Sequence, residues 1–298
     1  MYLTADGPVK FPGLDITIEH LIEGFDVFGV HISLSGILIA VALLVGLFLT
    51  ERLAKKTGQN PEVYLDLAIY LVISGIIGAR VGYIITHWEL FSSGAEHIFN
   101  ISTGMSFSGA VIAGLIVSFV YCKSRKYSWL KICDTLAPGI LFGQLIGVVG
   151  QFLERSVLGT YTDGLFAMQV DIQDVDVNLM MMSRSSIGII QGNFLQVHPV
   201  TLYELILFLI LFIVLIILFF KNQINGIVTA IYLIIYGGVR FFTEFIRLDS
   251  RKTIGGIISL EHIISFVLIL FGVLLLIGRV KRDWNKKKEK PKNYFIKK

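Results

Sequence analysis

An all-α integral membrane protein of about seven transmembrane helices is what this sequence predicts, and three observations carry the expectation. Apolar residues make up 54% of the 298-residue chain and charged residues only 16%, whereas a soluble domain holds about 25% charged residues. Mean hydropathy is +0.74. Apolar segments recur almost end to end, each close to the roughly 20 residues that a helix needs to cross a hydrocarbon core. The 29 glycines suit helices packed closely in a bilayer.

The expected spans lie near 28–50, 63–88, 105–122, 132–153, 200–220, 225–246 and 256–279. Loop charge orients them. Loop 51–62 carries Arg52, Lys55 and Lys56, and loop 123–131 carries Lys123, Arg125, Lys126 and Lys131. Loop 89–104 has no Lys or Arg, and segment 154–199 has only Arg155 and Arg184. The positive-inside rule then puts the N-terminus outside and the C-terminus inside. Loop 247–255 departs from the rule, because Arg247, Arg251 and Lys252 fall outside.

Two stretches read as lying beside the membrane domain of residues 26–280. Residues 1–25 mix Phe11, Leu14, Ile16, Ile18, Leu21 and Ile22 with acids, as an interfacial arm does. Segment 154–199 is too long for a bare connection, and is expected to form a small outer head between spans four and five. Its end, Ile187-Gly-Ile-Ile-Gln-Gly-Asn-Phe-Leu-Gln-Val, predicts two short strands around a turn at Gly192-Asn193.

Residues 279–298 hold ten Lys/Arg against two acids, which leaves 16 basic and 20 acidic residues elsewhere. Directly after a span, such a tail (281–298) faces anionic lipid in the cytosol rather than nucleic acid. Cys122 and Cys133 flank a basic loop without a second ligand pair, so neither zinc nor a disulfide framework is expected. No metal or cofactor is expected either. The N-terminus lacks a basic region followed by an apolar core, so no cleavable signal peptide is expected. Nothing in the sequence fixes an oligomeric state.

Ionisable side chains inside spans are costly and mark function, and here they gather at the expected outer ends. Arg80 lies in the outer half of span two. Span five opens Val197-His-Pro-Val-Thr-Leu-Tyr-Glu-Leu, which places His198, Tyr203 and Glu204 at its outer end. In span six Tyr236, Arg240, Glu244 and Arg247 are spaced by four, four and three, hence on one helical face. Arg240 lies deeper than Arg247, which alone could be snorkelling to the interface. It either pairs with Glu204 or Glu244 or receives an anionic lipid headgroup, since a guanidinium matches phosphate well. His198 precedes Pro199, so it serves either the start of the helix or the site. Gln151 and Glu154 end span four at the same level.

These strings resemble the bacterial prolipoprotein diacylglyceryl transferases over nearly the whole chain. The matching motifs are Phe11-Pro-Gly-Leu, Thr57-Gly-Gln-Asn-Pro-Glu, Ile77-Gly-Ala-Arg-Val-Gly-Tyr, Gly143-Gln-Leu-Ile-Gly, Leu165-Phe-Ala-Met-Gln, His198-Pro-x-x-Leu-Tyr-Glu and Arg240-Phe-x-x-Glu-Phe-x-Arg. The resemblance implies a multi-pass protein of the bacterial cytoplasmic membrane. It implies transfer of diacylglycerol from phosphatidylglycerol to a cysteine thiol in a prolipoprotein signal segment, with release of glycerol phosphate. Arg240 would stabilise the phosphate, with Glu244 and Tyr236 orienting it. Arg80, Tyr203, Glu204, His198 and Gln151 would shape the pocket.

Several family positions are altered. The family's Gly-Arg-x-Gly-Asn-Phe is Gly147-Val-Val-Gly-Gln-Phe, so Val148 stands for the arginine and Gln151 for the asparagine. Ser108 replaces the family's His or Tyr, Ser35 a Tyr, and Ser156 an acid. With the base and the signature arginine replaced, no catalytic residue is assigned. A divergent transferase and a catalytically impaired relative that binds anionic lipid or lipoprotein signal segments both stay open. A transporter is the third reading, and the absence of an evident inverted repeat speaks against it.

Overall fold

The structure, a computed structural model, describes residues 2–27, 30–92, 104–171, 190–191, 193–221, 224–248, 252–254 and 258–289. Arg184, Gly192, Arg251, most of loop 89–104, the middle of segment 154–199 and the tail beyond residue 289 lie outside the described residues. Eight α-helices occur among those described: α1 (Leu34–Lys56), α2 (Glu62–Thr86), α3 (Trp88–Ser92), α4 (Phe107–Ser124), α5 (Trp129–Leu153), α6 (Val200–Lys221), α7 (Ile227–Ile246) and α8 (Leu260–Glu289). Six of them, α1, α2, α5, α6, α7 and α8, are long and apolar enough to cross a membrane. α4 is apolar but shorter, and occupies the third expected span. Large apolar side chains such as Leu44, Ile85 and Phe242 are well exposed on these helices, as lipid contact requires. The membrane-spanning part is therefore all-α and multi-spanning.

The helix limits differ instructively from expectation. The first span was expected from residue 28, but Val30–Ser33 is a strand and α1 begins at Leu34. Its polar end then runs on to Lys56, where Lys55 Nζ lies 2.5 Å from Glu51 Oε1, one turn back. The residues resembling the family's Thr57–Glu62 motif form the connection to α2. Thr57 Oγ1 donates to Leu53 O at 3.0 Å, Gly58 takes φ +66°, and Asn60 Oδ1 accepts from the Glu62 N–H at 3.1 Å. The motif therefore ends one helix and starts the next, with glycine where a left-handed residue is needed.

The chain divides into two compact units. In residues 47–136, α2 packs on α4 through backbone contact: a Cβ at Gly109 would lie 2.3 Å from Gly78 O, and one at Gly78 2.6 Å from Gly109 O. Tyr64, Leu67, Cys122 and Ile132 form a buried cluster beside this contact. Tyr64 Oη donates to Gln59 Oε1 at 2.6 Å and Gln59 Nε2 to Thr135 Oγ1 at 2.9 Å, which satisfies the polar atoms of the cluster.

The second unit comprises residues 1–46 and 137–298. Its helices α7 and α8 meet where a Cβ on Gly272 would lie 2.9 Å from Ala230 O. The strands also lie here. β1 (Tyr2–Asp6), β4 (Leu21–Val27) and β5 (Val30–Ser33) form one antiparallel sheet. β2 (Val9–Phe11), β3 (Ile16–Ile18), β6 (Met168–Asp171), β7 (Ile190–Gln191) and β8 (Phe194–Val197) form another, in the order β3-β2-β6-β8-β7. β7 and β8 pair as the sequence suggests, Gln191 opposite Phe194. The N-terminal residues join this sheet too, since Lys10 stands opposite Gln169. Val9, Phe11, Leu158, Met168, Val170, Leu195 and Val197 bury a shared apolar core. A final pair, β9 (Lys252–Ile254) and β10 (Ile258–Ser259), leads into α8.

Candidate functional site

The site is assembled around the start of α6 and the end of α7, and residues 158–160 join the two. The Gly159 N–H donates to His198 O at 3.2 Å and the His198 N–H donates to Thr160 O at 2.9 Å. On the other side the Thr160 N–H donates to Ile246 O at 2.7 Å and the Leu248 N–H to Leu158 O at 2.9 Å. Glycine is required at 159, because a Cβ there would sit 2.5 Å from His198 O. This backbone bracket sets the register of the side chains that α6 and α7 present.

Arg240 faces Glu204. Its Nη1 lies 2.9 Å from Glu204 Oε1, and Thr243 Oγ1 donates to the same oxygen at 2.8 Å. Glu204 is fully buried, and its Oε2 has no hydrogen-bond partner among the described residues. The sequence left Glu204 and Glu244 as alternatives for pairing Arg240; the ion pair is with Glu204, across from α6. Glu244, one turn beyond Arg240, instead accepts from Ser259 Oγ at 2.8 Å and lies 3.7 Å from Arg247 Nε. Two arginine–glutamate pairs thus follow each other along the polar face of α7. A charge taken out of water needs such a partner. Tyr236, on the same face, stacks between Tyr232 and Phe208, each ring centroid 5.4 Å away.

His198 Nδ1 and Tyr203 Oη are 3.3 Å apart. Partial burial of the imidazole disfavours its charged form and pulls its pKa below the ordinary 6.5. The unfolded chain therefore takes up the proton more readily. The stability His198 contributes is full above about pH 6.5 and declines as pH falls through that value toward the folded pKa. H198Q is accordingly expected to flatten the dependence of the unfolding midpoint on pH between about 7.5 and 5.5, measured by thermal denaturation in detergent.

At the end of α5, Val148 is buried, and Ser35 Oγ donates to Glu154 Oε1. The serine that stands in place of the family's Tyr thus meets an acid two residues before Ser156. Gln151 is half-buried, and its backbone carbonyl accepts from the Ser156 N–H at 3.2 Å. In the unit of residues 47–136, Arg80 donates from Nη1 to Gly104 O at 3.1 Å and lies over the rings of Tyr83 and Phe91, 5.5 and 5.3 Å from their centroids. Ser108 Oγ is 3.0 Å from Ser106 Oγ, whose own oxygen caps α4 by accepting from the Gly109 N–H.

Three residues of the cluster escaped the sequence reading: Thr243, Ser259 and His262. Thr243 follows Arg240 by three and so shares its face. Ser259-Leu-Glu-His262 has the spacing of a capping box, a signal present in the sequence but not one that reports contact with Glu244.

Membrane-length helices carrying paired buried charges define a multi-pass membrane protein with a polar site inside its helical unit. Comparison with known proteins gives it a family. The chain belongs to the prolipoprotein diacylglyceryl transferases, whose family model matches residues 24–278. It is 32% identical over 256 residues to the phosphatidylglycerol–prolipoprotein diacylglyceryl transferase of Finegoldia magna, covering 85% of this chain and 93% of that one. The Synechocystis protein of the same name is 30% identical over 276 residues, 89% and 93% of the two chains. That of Clostridioides difficile is 29% identical over 263 residues, 88% and 96%. Membership supports a transferase-like enzymatic role in lipoprotein modification, and with the apolar helices it makes this a multi-pass protein of the bacterial cytoplasmic membrane.

Proposed function

We propose that this protein transfers the diacylglyceryl group of phosphatidylglycerol to the lipobox cysteine of prolipoproteins, at the outer leaflet. The cysteine sulfur, as thiolate, forms a bond to the glyceryl carbon that carries the phosphate. The carbon–oxygen bond breaks, and the oxygen leaves with the electron pair as glycerol phosphate. Phosphate charge rises from about −1 to −2 in that step, so cations held in a low-dielectric site stabilise the transition state more than the bound lipid. The ion-paired Arg240 on the α7 face is the observation that carries this reading. Glu204 and Glu244 hold the two guanidiniums, Tyr236 packs beside them, and Tyr203, His198 and Gln151 contribute to the walls. The thiol proton needs a base, and partial burial favours the neutral, proton-accepting form of His198.

The proposed topology has seven spans, α4 among them, with the N-terminus and the β2–β6–β8 sheet outside. It fits the length of α8: 30 residues make a helix about 45 Å long, which exceeds a hydrocarbon core of about 30 Å. Its basic end then emerges on the cytosolic side against anionic lipid.

Labelled diacylglycerol should pass from phosphatidylglycerol to a lipobox peptide in the presence of the purified protein. No incorporation above a protein-free control would overturn the proposal. A second reading, binding of anionic lipid or signal segments without transfer, is favoured by buried Val148 and by Ser108 lying against Ser106. Growth rescue of a strain lacking its transferase would exclude it.

A further inference from the structure

Ser259 opens α8, and its side chain does two things at once. Its oxygen accepts from the His262 N–H at 3.3 Å, capping the helix, while its hydroxyl lies 2.8 Å from Glu244 Oε1. A carboxylate only accepts, so the single hydroxyl proton is directed at Glu244. His262 completes the cap from the other side: the Ser259 N–H donates to its Nδ1 at 3.2 Å. The same Nδ1 lies 2.9 Å from Ser259 Oγ, and the ring packs against Phe241 and Phe245, with centroids 5.3 and 4.3 Å away. Ser259 and His262 are each only 2% exposed. An N-terminal cap at a helix end usually faces water; this one is buried and joined to a carboxylate of another helix. Glu244 in turn sits 3.7 Å from Arg247 Nε.

We infer that Ser259, supported by His262, is a positioning residue of the lipid site: it fixes the Glu244 carboxylate and, through it, the Arg247 guanidinium. The inference rests on the transfer reaction proposed above. Without the hydroxyl, Glu244 Oε1 loses a charge-assisted hydrogen bond and the carboxylate is free to turn. The cation it holds then meets the departing phosphate in a less favourable geometry. The effect falls on kcat more than on KM, because the phosphate gains charge only as the bond breaks.

The test separates this role from capping alone. Glycine is nearly as good a cap as serine, so S259G keeps the start of α8 but removes the hydroxyl, whereas S259T keeps both. The full chain is placed in bilayer discs containing phosphatidylglycerol. Transfer to a lipobox peptide, phosphatidylglycerol retention and amide exchange over residues 259–263 are then measured. S259G is expected to lower kcat about tenfold, the effect of one charge-assisted hydrogen bond, with KM and amide protection little changed; S259T should restore most of the rate. H262Q, which can rebuild the cap acceptor, should resemble S259T, and H262L should resemble S259G. Equal rates in S259G and S259T would overturn the inference. If the wild-type chain retains phosphatidylglycerol but transfers nothing, the transfer reading falls and the inference falls with it, whereas equal rates in S259G and S259T beside an active wild type overturn the inference alone. A wild-type chain that neither transfers nor retains the lipid overturns both.

Discussion

Arg240→Gln is expected to destabilise the detergent-solubilised protein by about 3 kcal/mol and to reduce transfer by roughly 30- to 1000-fold. The first effect follows from the surroundings of Glu204. That carboxylate is fully buried, and Arg240 is its cation at 2.9 Å. Removing one partner of a buried pair leaves an uncompensated charge, which costs about 3–5 kcal/mol. The lower end applies here, because the Arg240 side chain is 22% exposed. The second effect follows from loss of a fixed cation opposite the departing phosphate. The two are separable. E204Q/R240Q removes the stranded charge and should recover most of the unfolding midpoint without recovering transfer. R240K keeps the charge but not the planar fork; its midpoint should lie near wild type while transfer stays depressed. Thermal unfolding and labelled-lipid transfer on the four proteins decide the matter, and full transfer by E204Q/R240Q would remove Arg240 from the site.

Gly159→Ala should have the next largest effect. The added Cβ would lie 2.5 Å from His198 O and 2.6 Å from His198 Cβ. The obstacle is backbone, which cannot rotate away, so overpacking costs about 1–3 kcal/mol or more. The damage also reaches function, because residues 158–160 hydrogen-bond both to His198 and to Ile246–Leu248. Displacing that bracket shifts His198 and Glu204 against Arg240, and a misplacement of about 1 Å costs on the order of a hundredfold in rate. Gly147 supplies the comparison. A Cβ there meets nothing within 4 Å, so G147A in the interior of α5 should raise stability by about 0.5–1 kcal/mol. If G159A and G147A unfold at the same temperature, the bracket has no mechanical role.

The legible parts of this protein were those written in local periodicity. The four-residue spacing of Tyr236, Arg240 and Glu244 announces a polar face on α7, and the structure places all three on that helix. The apolar runs coincide with helices because lipid leaves the backbone few other options. What could not be read locally was pairing. Arg240 could have chosen Glu244, four residues away, over Glu204, 36 residues away; the choice depends on how α6 lies against α7. Ser259 and His262 were missed for a related reason, since a capping spacing says how a helix begins and not which carboxylate its hydroxyl meets. The start of α1 shifted to Leu34 because Val30-His-Ile-Ser33 satisfies the backbone in a ladder with β4, although its composition would also suit a span. Within the family-like motifs, Thr57–Glu62 turned out to serve a helix connection, while His198–Glu204 and Arg240–Arg247 supply the charged cluster.

The pairing of β2 with β6 sets a timetable for biogenesis. Lys10 and Gln169 are neighbours in the sheet but about 160 residues apart in the chain. At roughly 5–20 residues per second of synthesis, that interval is on the order of ten to thirty seconds. During it the β2–β3 hairpin exists with one edge unpaired, an arrangement prone to wrong partners, while α1 through α5 are synthesised. The sheet can close only when the 168–197 segment arrives. Chains interrupted before that point should carry a protease-sensitive N-terminus, and longer ones a protected one.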